Sequence, residues 1–130
     1  MKPLRILLMA MVFLSSFLVA TCQQPVKESE ITIIDKTQLT ELLAESPNIL
    51  IVDVRTSDEV AAGKIPGSVN YDWFDQESFS ASVQELDKSK PIVVYCMSGT
   101  RSGKAAAHLA SAGFLKVYDY SEGYVGWSSN

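Results

Sequence analysis

The sequence is poor in the residues from which metal and nucleotide sites are built. Its 130 residues contain two cysteines and a single histidine, and no cluster of His, Cys or carboxylate residues has the spacing of a metal site. Internal repeats, low-complexity blocks and the glycine pattern of a nucleotide-binding loop are missing as well. We therefore expect neither a metal nor a cofactor.

Positive charge is also scarce. The chain has 11 Lys and Arg against 15 Asp and Glu, a net charge of −4. Binding to a phosphate backbone requires clustered Lys and Arg, so we expect no nucleic-acid partner. With 47% apolar and 20% charged residues, the composition is that of one ordinary globular domain.

The amino-terminal residues differ from that domain in composition. Lys2 and Arg5 precede an almost unbroken apolar run at 6–19, and Cys22 follows it. The run is too short to cross a membrane, which takes about 20 residues, but it suits a secretory signal. We therefore predict export, with a signal peptide at 1–21, a polar tether at 22–30 and the folded domain at 31–130. Removal of the signal changes the net charge to −6, because it takes two basic residues and no acidic one.

The segment LVATC resembles the lipobox of bacterial lipoproteins, in which the cysteine is lipidated and becomes the first residue of the mature chain. The resemblance implies a lipid anchor at Cys22. Gln23 behind it favours the outer membrane, facing the periplasm, in an organism with two membranes. The alternative is plain signal cleavage near Ala20, which leaves Cys22 as a free thiol. If Cys22 carries lipid, Cys96 is the only remaining thiol and no internal disulfide can form.

Apolar segments alternate with helical patterns along the rest of the chain. Strand character is found at 31–35, 48–54, 68–71, 91–95 and 114–120, and helical spacing at 36–46, 57–62, 78–86 and 102–112. This alternation predicts an α/β fold of the doubly wound type, with a parallel sheet of four or five strands flanked by helices. Ligands of such sheets bind outside the carboxyl ends of the strands. The sequence places Asp53, Arg55 and Cys96 at those ends.

The segment YCMSGTRS puts Cys96 between an apolar strand and a helix. Residues 96–101 form a six-residue loop, in which the small residues Ser98, Gly99 and Thr100 let successive amides converge on the sulfur. The following helix adds the positive end of its dipole, and both effects lower the pKa of a cysteine. The alternative is an inert buried thiol that ends a core strand.

The same segment resembles the C-x-x-G-x-R-S active-site loop of single-domain rhodaneses, sulfurtransferases that carry a sulfane sulfur as a cysteine persulfide. Two further stretches match in order and spacing, IVDVRTSDEVAAGKIPGSVN at 51–70 and VYDYSEGYVGW at 117–127. The resemblance covers 31–130 and implies the rhodanese fold, sulfurtransferase activity and catalytic roles for Cys96 and Arg101. It also implies that the donor is bound by the loop residues Met97, Ser98, Gly99, Thr100 and Ser102.

Charged side chains near the loop have alternative interpretations. Arg101 can meet an anionic donor, or it can fix the loop through an ion pair with Asp53 or Glu59. We interpret Asp53 and Arg55 as a structural pair that orients neighbouring loops, with direct substrate contact as the alternative. Lys104, one turn into the helix, is a further source of positive charge.

The single histidine and two aromatic residues are weaker candidates. The helix carries His108 about 9 Å along its axis away from Cys96, so we interpret it as a surface or packing residue and not as a Cys–His partner. Trp73 and Phe74 either wall the entrance to the site or pack in the core.

Loop length argues against a cysteine phosphatase of the same fold. Those enzymes use C-x5-R, whereas Cys96 to Arg101 is C-x4-R, and the loop has no general acid for an alcohol leaving group. The rhodanese resemblance instead implies a small sulfur donor such as thiosulfate and a thiol or cyanide acceptor. We also expect a monomer. The alternative function is a non-catalytic sulfur carrier or redox-sensing thiol module for an exported partner protein.

The lipid anchor leads to a first prediction. The wild-type protein should fractionate with membranes and partition into detergent, because several acyl chains anchor a protein stably. Cys22→Ser should release the protein or block its processing, which membrane fractionation of both forms measures. A wild-type protein that is wholly soluble after export would show that the lipobox interpretation is wrong.

Overall fold

The computed structural model describes residues 25–130, so the predicted signal peptide, Cys22 and Gln23 lie outside the described residues. Strands and helices alternate along this part of the chain, in the order β1 (Glu30–Ile34), α1 (Lys36–Glu45), β2 (Leu50–Asp53), α2 (Ser57–Ala61), β3 (Val69–Asn70), α3 (Gln76–Gln84), β4 (Ile92–Tyr95), α4 (Thr100–Ser111), β5 (Lys116–Tyr120) and α5 (Gly123–Ser128). Within residues 25–130, no helix has the length and apolar composition needed to cross a bilayer.

The strands form one parallel sheet in the order β1-β5-β4-β2-β3. This confirms the predicted α/β fold and gives the sheet five strands. β4 lies in the middle and is buried at every residue, as expected for a continuous β-branched run in a parallel sheet. Asp53, the last residue of β2, pairs with Tyr95, the last residue of β4. The chain segments that carry Arg55 and Cys96 therefore leave the sheet side by side.

Helices cover both faces of the sheet. On one face α3 and α4 bury Phe79, Val83 and Leu109 in one apolar cluster, and on the other face Leu39 of α1 is buried with Trp127 of α5 packed against its cluster. Removing these apolar side chains from water is the main favourable term in folding. The core thus fixes the central strands from both sides and sets the direction in which their carboxyl ends point.

The sequence predicts a helix at 57–62, and α2 begins at Ser57 as predicted. Its N-cap is Thr56, whose hydroxyl accepts a hydrogen bond from the amide of Glu59 at 3.4 Å. The carboxylate of Glu59 in turn accepts the amide of Thr56 at 2.9 Å. This reciprocal capping box satisfies two amides that have no partner inside the helix, and it fixes the backbone at Glu59.

The start of α4 differs from the prediction. The helix begins at Thr100 and not at Ser102, because Gly99 adopts a positive φ of 99° that turns the chain directly into the helix. The loop is therefore shorter than the predicted stretch at 96–101. Arg101 and Ser102 lie in the first turn of α4.

A buried ion pair stands at the carboxyl end of β2. The side chains of Asp53 and Arg55 are fully buried, and Nε and Nη2 of Arg55 donate to the carboxylate at 2.9 and 2.7 Å. Nη2 also donates to the carbonyl of Gly63 at 2.7 Å, and the hydroxyl of Tyr95 donates to Asp53 at 2.5 Å. A buried pair is tolerated only when such additional hydrogen bonds compensate for lost solvation.

Arg55→Met should lower the free energy of unfolding by about 3–5 kcal/mol, because it leaves the carboxylate of Asp53 buried without its cation. Denaturant unfolding measures the loss. Lys116→Met is the matched control, since it also removes a cation from an ion pair but leaves the partner Glu30 in solvent. Its loss should be much smaller, and equal losses would contradict a special role for the buried pair.

Candidate active site

Cys96 directly follows β4, and it is a free thiol with 1% of its surface exposed. The amide of Gly99 donates to Sγ at 3.1 Å. Burial by itself raises the pKa of Cys96, but the amides of Ser102, Ser98 and Gly99 and the hydroxyl of Ser102 lower it by more, so the pKa lies below its ordinary value. A thiol with a lowered pKa has a larger thiolate fraction at neutral pH, and the thiolate is the nucleophile.

Gly99 gives the loop its shape. A Cβ at this position would lie 2.6 Å from the carbonyl oxygen of Ser121, and the φ of 99° is strained for any other residue. The hydroxyl of Ser102 donates to the carbonyl of Gly99 at 3.2 Å. The same hydroxyl is among the groups that lower the pKa of Cys96.

The amino end of α5 holds the loop from behind. The amide of Tyr124 donates to the carbonyl of Cys96 at 2.8 Å, and the amide of Val125 donates to the carbonyl of Met97 at 3.1 Å. Gly123 permits this approach, because a Cβ there would lie about 2.5 Å from both carbonyl oxygens. The carbonyls of the loop therefore point towards α5, which leaves amides of the same loop free to face the sulfur.

Arg101 forms a two-pronged ion pair with Glu59. Its Nη1 and Nη2 donate to the two carboxylate oxygens at 2.7 and 2.8 Å. Of the two partners that the sequence allowed, Glu59 is therefore the one found, while Asp53 pairs with Arg55. Arg101 lowers the pKa of Glu59 to about 2, so the carboxylate remains ionised throughout the physiological range.

Asp119 is a buried acid near the loop that the sequence did not single out as functional. It is 5% exposed, and its Oδ1 has no hydrogen-bond partner within the described residues. Burial raises the pKa of Asp119, and a contact with the hydroxyl of Ser102 opposes that rise. A charged residue inside the apolar segment FLKVYDY was the sequence signal that could have drawn attention to it.

The remaining predicted residues are distributed around the loop. Met97 is half-buried, while Ser98 and Thr100 are exposed. His108 packs against aromatic rings, with centroids 6.0 Å from Trp73 and 5.5 Å from Phe79, as the packing interpretation predicts. Of the two candidate entrance residues, Trp73 packs against the core, whereas Phe74 is 69% exposed.

The far end of the sheet offers no comparable chemistry. A cavity of about 500 Å³ lies there, before β2, β4 and β5, where Ile49, Leu86 and Phe114 are among its lining residues. Its lining contains no cysteine or histidine. Residues 25–130 also hold no group of three or more His, Cys, Asp or Glu that could bind a metal ion. The Cys96 loop is therefore the candidate active site.

Known proteins resemble this chain over the part that contains the loop. Residues 35–130 match the family described as the rhodanese-like domain. A sulfurtransferase of Allochromatium vinosum is 33% identical over 95 residues, which are 73% of this chain and 86% of that protein. The thiosulfate sulfurtransferase GlpE of Pseudomonas syringae is 37% identical over 60% of this chain and 71% of its own length. The human single-domain sulfurtransferase TSTD1 superposes with a TM-score of 0.61 at 29% identity, over 75% of this chain and 97% of that one.

Gly99→Ala should raise the pKa of Cys96 towards the ordinary cysteine value of about 8.5, because the loop must shift away from Ser121 and its amides then leave the sulfur. The rate of alkylation as a function of pH measures this. The rise of the alkylation rate with pH should occur at a higher pH in Gly99→Ala than in the wild type.

Gly113→Ala is the matched control for this substitution. Gly113 has a similar φ of 101°, but a Cβ there would meet only Lys88, at 3.6 Å, at the other end of α4. Both substitutions should cost stability, and only Gly99→Ala should move the thiol titration. A shift of the same size in both variants would contradict the role of the Gly99 amide.

Proposed function

The chain belongs to the rhodanese-like domain family and is a sulfurtransferase, and we propose that Cys96 carries the transferred sulfur as a persulfide. The proposal rests on the amides of Ser98, Gly99 and Ser102, which lower the pKa of the buried thiol of Cys96. An anionic sulfur is stabilised there by fixed backbone dipoles and needs no neighbouring base.

The first half-reaction is a transfer of neutral sulfur. The thiolate of Cys96 attacks the outer sulfur of a sulfane donor such as thiosulfate, an S–S bond forms to Sγ, and the S–S bond of the donor breaks. The electron pair of that bond leaves with sulfite, so no proton is needed at the leaving group. The new persulfide anion is again a sulfur that carries one negative charge, for which the same amides are suited.

The second half-reaction returns the thiolate. A thiol or cyanide acceptor attacks the outer sulfur of the persulfide, and the electron pair of the broken S–S bond stays on Sγ of Cys96. Because the leaving group is this stabilised thiolate, the step requires no general acid. That fits a loop whose sequence, CMSGTR, contains no acidic residue.

Arg101 acts on this chemistry through charge and position. Its guanidinium attracts the Cys96 thiolate electrostatically, while its hydrogen bonds go to Glu59. We therefore propose that it helps to hold the first turn of α4 in place and supplies a partly neutralised positive field. Met97, Ser98, Gly99, Thr100 and Ser102 are proposed to contact the donor.

A sulfur carrier with little turnover of its own is the second candidate. It is favoured by the absence of a basic residue between Cys96 and Arg101, since an enzyme for a small dianion benefits from unpaired cations. The two functions differ in the fate of the persulfide. The enzyme releases its sulfur to a small acceptor, whereas the carrier keeps it until a partner protein arrives.

The proposal also concerns the cellular location of the protein. We propose that the domain is exported and lipid-anchored through Cys22, as a monomer. Ser29 lies against α4 near its carboxyl end, where its hydroxyl donates to the carbonyl of Ala110 at 3.0 Å. The tether thus joins the domain at the end opposite to Cys96, so an anchored domain would direct its thiol away from the membrane.

Cys96→Ser should abolish thiocyanate formation from thiosulfate and cyanide, because a serine hydroxyl is not ionised at neutral pH. Intact mass after exposure to the donor should show an adduct of about 32 Da on the wild type and none on the variant. His108→Ala is the control, and it should retain turnover, since His108 packs against Trp73 and Phe79. A stable adduct with negligible turnover would favour the carrier, and turnover by Cys96→Ser would contradict both.

A further inference from the structure

Asp119 lies on the strand next to the one that ends at Cys96, on the same face of the sheet. It pairs with Val94 of β4, and Cys96 follows Val94 by two residues, so both side chains project towards α4. Val94, Cys96 and Val117 accordingly belong to one buried cluster on that face. A Cβ on Gly103 would lie 3.7 Å from Oδ2 of Asp119. The carboxyl group is thus enclosed between the sheet and the first turn of α4.

No cation compensates this carboxyl group within the described residues. Its neighbours across the sheet are Ile33 of β1 and Val94 of β4, and the residues of α4 above it are Ser102 and Gly103, none of which ionises. The acid is 5% exposed, and its Oδ1 has no hydrogen-bond partner in residues 25–130. Burial raises the pKa of Asp119, and no positive charge opposes that rise. An ionised carboxylate is costly in such surroundings, whereas a protonated one costs far less.

The hydroxyl of Ser102 connects the acid to the thiol. It lowers the pKa of Asp119 and also the pKa of Cys96, and Ser102 is fully buried in the first turn of α4. A hydroxyl has one proton to donate and two lone pairs with which to accept. An ionised Asp119 would therefore compete with the sulfur for that proton. A protonated Asp119 can instead donate to Oγ, which leaves the hydroxyl proton for the sulfur.

We infer that Asp119 is a positioning residue, which is held as a neutral acid, donates a hydrogen bond to Oγ of Ser102 and thereby directs the hydroxyl proton of Ser102 at Sγ of Cys96. The acid and the thiol together then carry one negative charge, and it resides on the sulfur. In the proposed function the sulfur is anionic both as thiolate and as persulfide, so the acid stays neutral in both states. The inference rests on the proposed function in that it takes Cys96 as the reacting residue.

Infrared spectroscopy tests the protonation state of the acid directly. The carbonyl band of a protonated carboxyl group should be present in the wild type at neutral pH and absent from Asp119→Asn, because ordinary carboxyl groups are ionised at that pH. A wild-type spectrum without this band would overturn the inference.

Two neutral replacements test the hydrogen bond. Asp119→Asn keeps a donor for Oγ of Ser102, whereas Asp119→Leu has a similar shape and no donor. The rise of the Cys96 alkylation rate with pH should occur at the same pH in Asp119→Asn as in the wild type. In Asp119→Leu it should occur about one pH unit higher, because the thiolate then loses much of one hydrogen bond to a charged group.

Two outcomes of this titration would contradict the inference. Equal profiles for Asp119→Asn and Asp119→Leu would show that the donor has no effect on the thiol. A profile of Asp119→Asn well below that of the wild type would show that the wild-type acid is charged beside the thiolate. Adding Ser102→Ala to both variants should make their profiles coincide, since the connecting hydroxyl is then gone, and a difference that persists would also overturn the inference.

Tyr120→Phe is the matched control. The hydroxyl of Tyr120 is likewise buried without a hydrogen-bond partner in residues 25–130, but Tyr120 packs in the cluster on the other face of the sheet. The variant should therefore titrate as the wild type, and a shift as large as that of Asp119→Leu would reduce the effect to general packing around β5. These measurements use no sulfur donor, so the donor adduct on Cys96 tests the proposed function separately.

Discussion

The buried ion pair between Asp53 and Arg55 is the constraint on which the active end of the molecule depends. Two opposite charges without exposure to solvent must have every hydrogen-bonding group satisfied, and this requirement draws several chain segments together. Arg55 reaches the carbonyl of Gly63 at 2.7 Å and lies 4.3 Å from the ring centroid of Tyr124. The amide of Tyr124 in turn holds the carbonyl of Cys96. The pair thus supports the thiol loop without touching the sulfur.

The loop stabilises negative charge with dipoles and very little with net charge. Backbone amides and the hydroxyl of Ser102 lower the pKa of Cys96 against the effect of burial, while the cation at hand, Arg101, is paired with Glu59. Dipoles of this kind are fixed by the backbone and do not titrate, and they are most effective where water is excluded. The thiol is 1% exposed, so the arrangement is matched to a single anionic sulfur.

Asp119 shows that the interior beside the loop is not arranged for stability alone. One oxygen of this buried acid has no hydrogen-bond partner within the described residues, and burial raises its pKa. A buried polar group without a partner costs free energy, and a neutral residue of similar shape would avoid that cost. The acid lies on the same face of the sheet as Ser102, close to the groups that act on Cys96.

Local sequence determined the strands and helices of this protein and most of the loop that holds its thiol. Alternating apolar and helical patterns were enough for the parallel α/β sheet, and YCMSGTRS was enough for the thiol loop, because strand burial and glycine turns are short-range properties. Contacts distant in sequence were decided only by the tertiary structure. Arg101 pairs with Glu59, which lies 42 residues away in sequence, whereas Asp53 pairs with Arg55. The hydrogen bond from α5 to the carbonyl of Cys96 forms because β5 places Gly123 against the loop. The sequence pattern of neither segment encodes this contact.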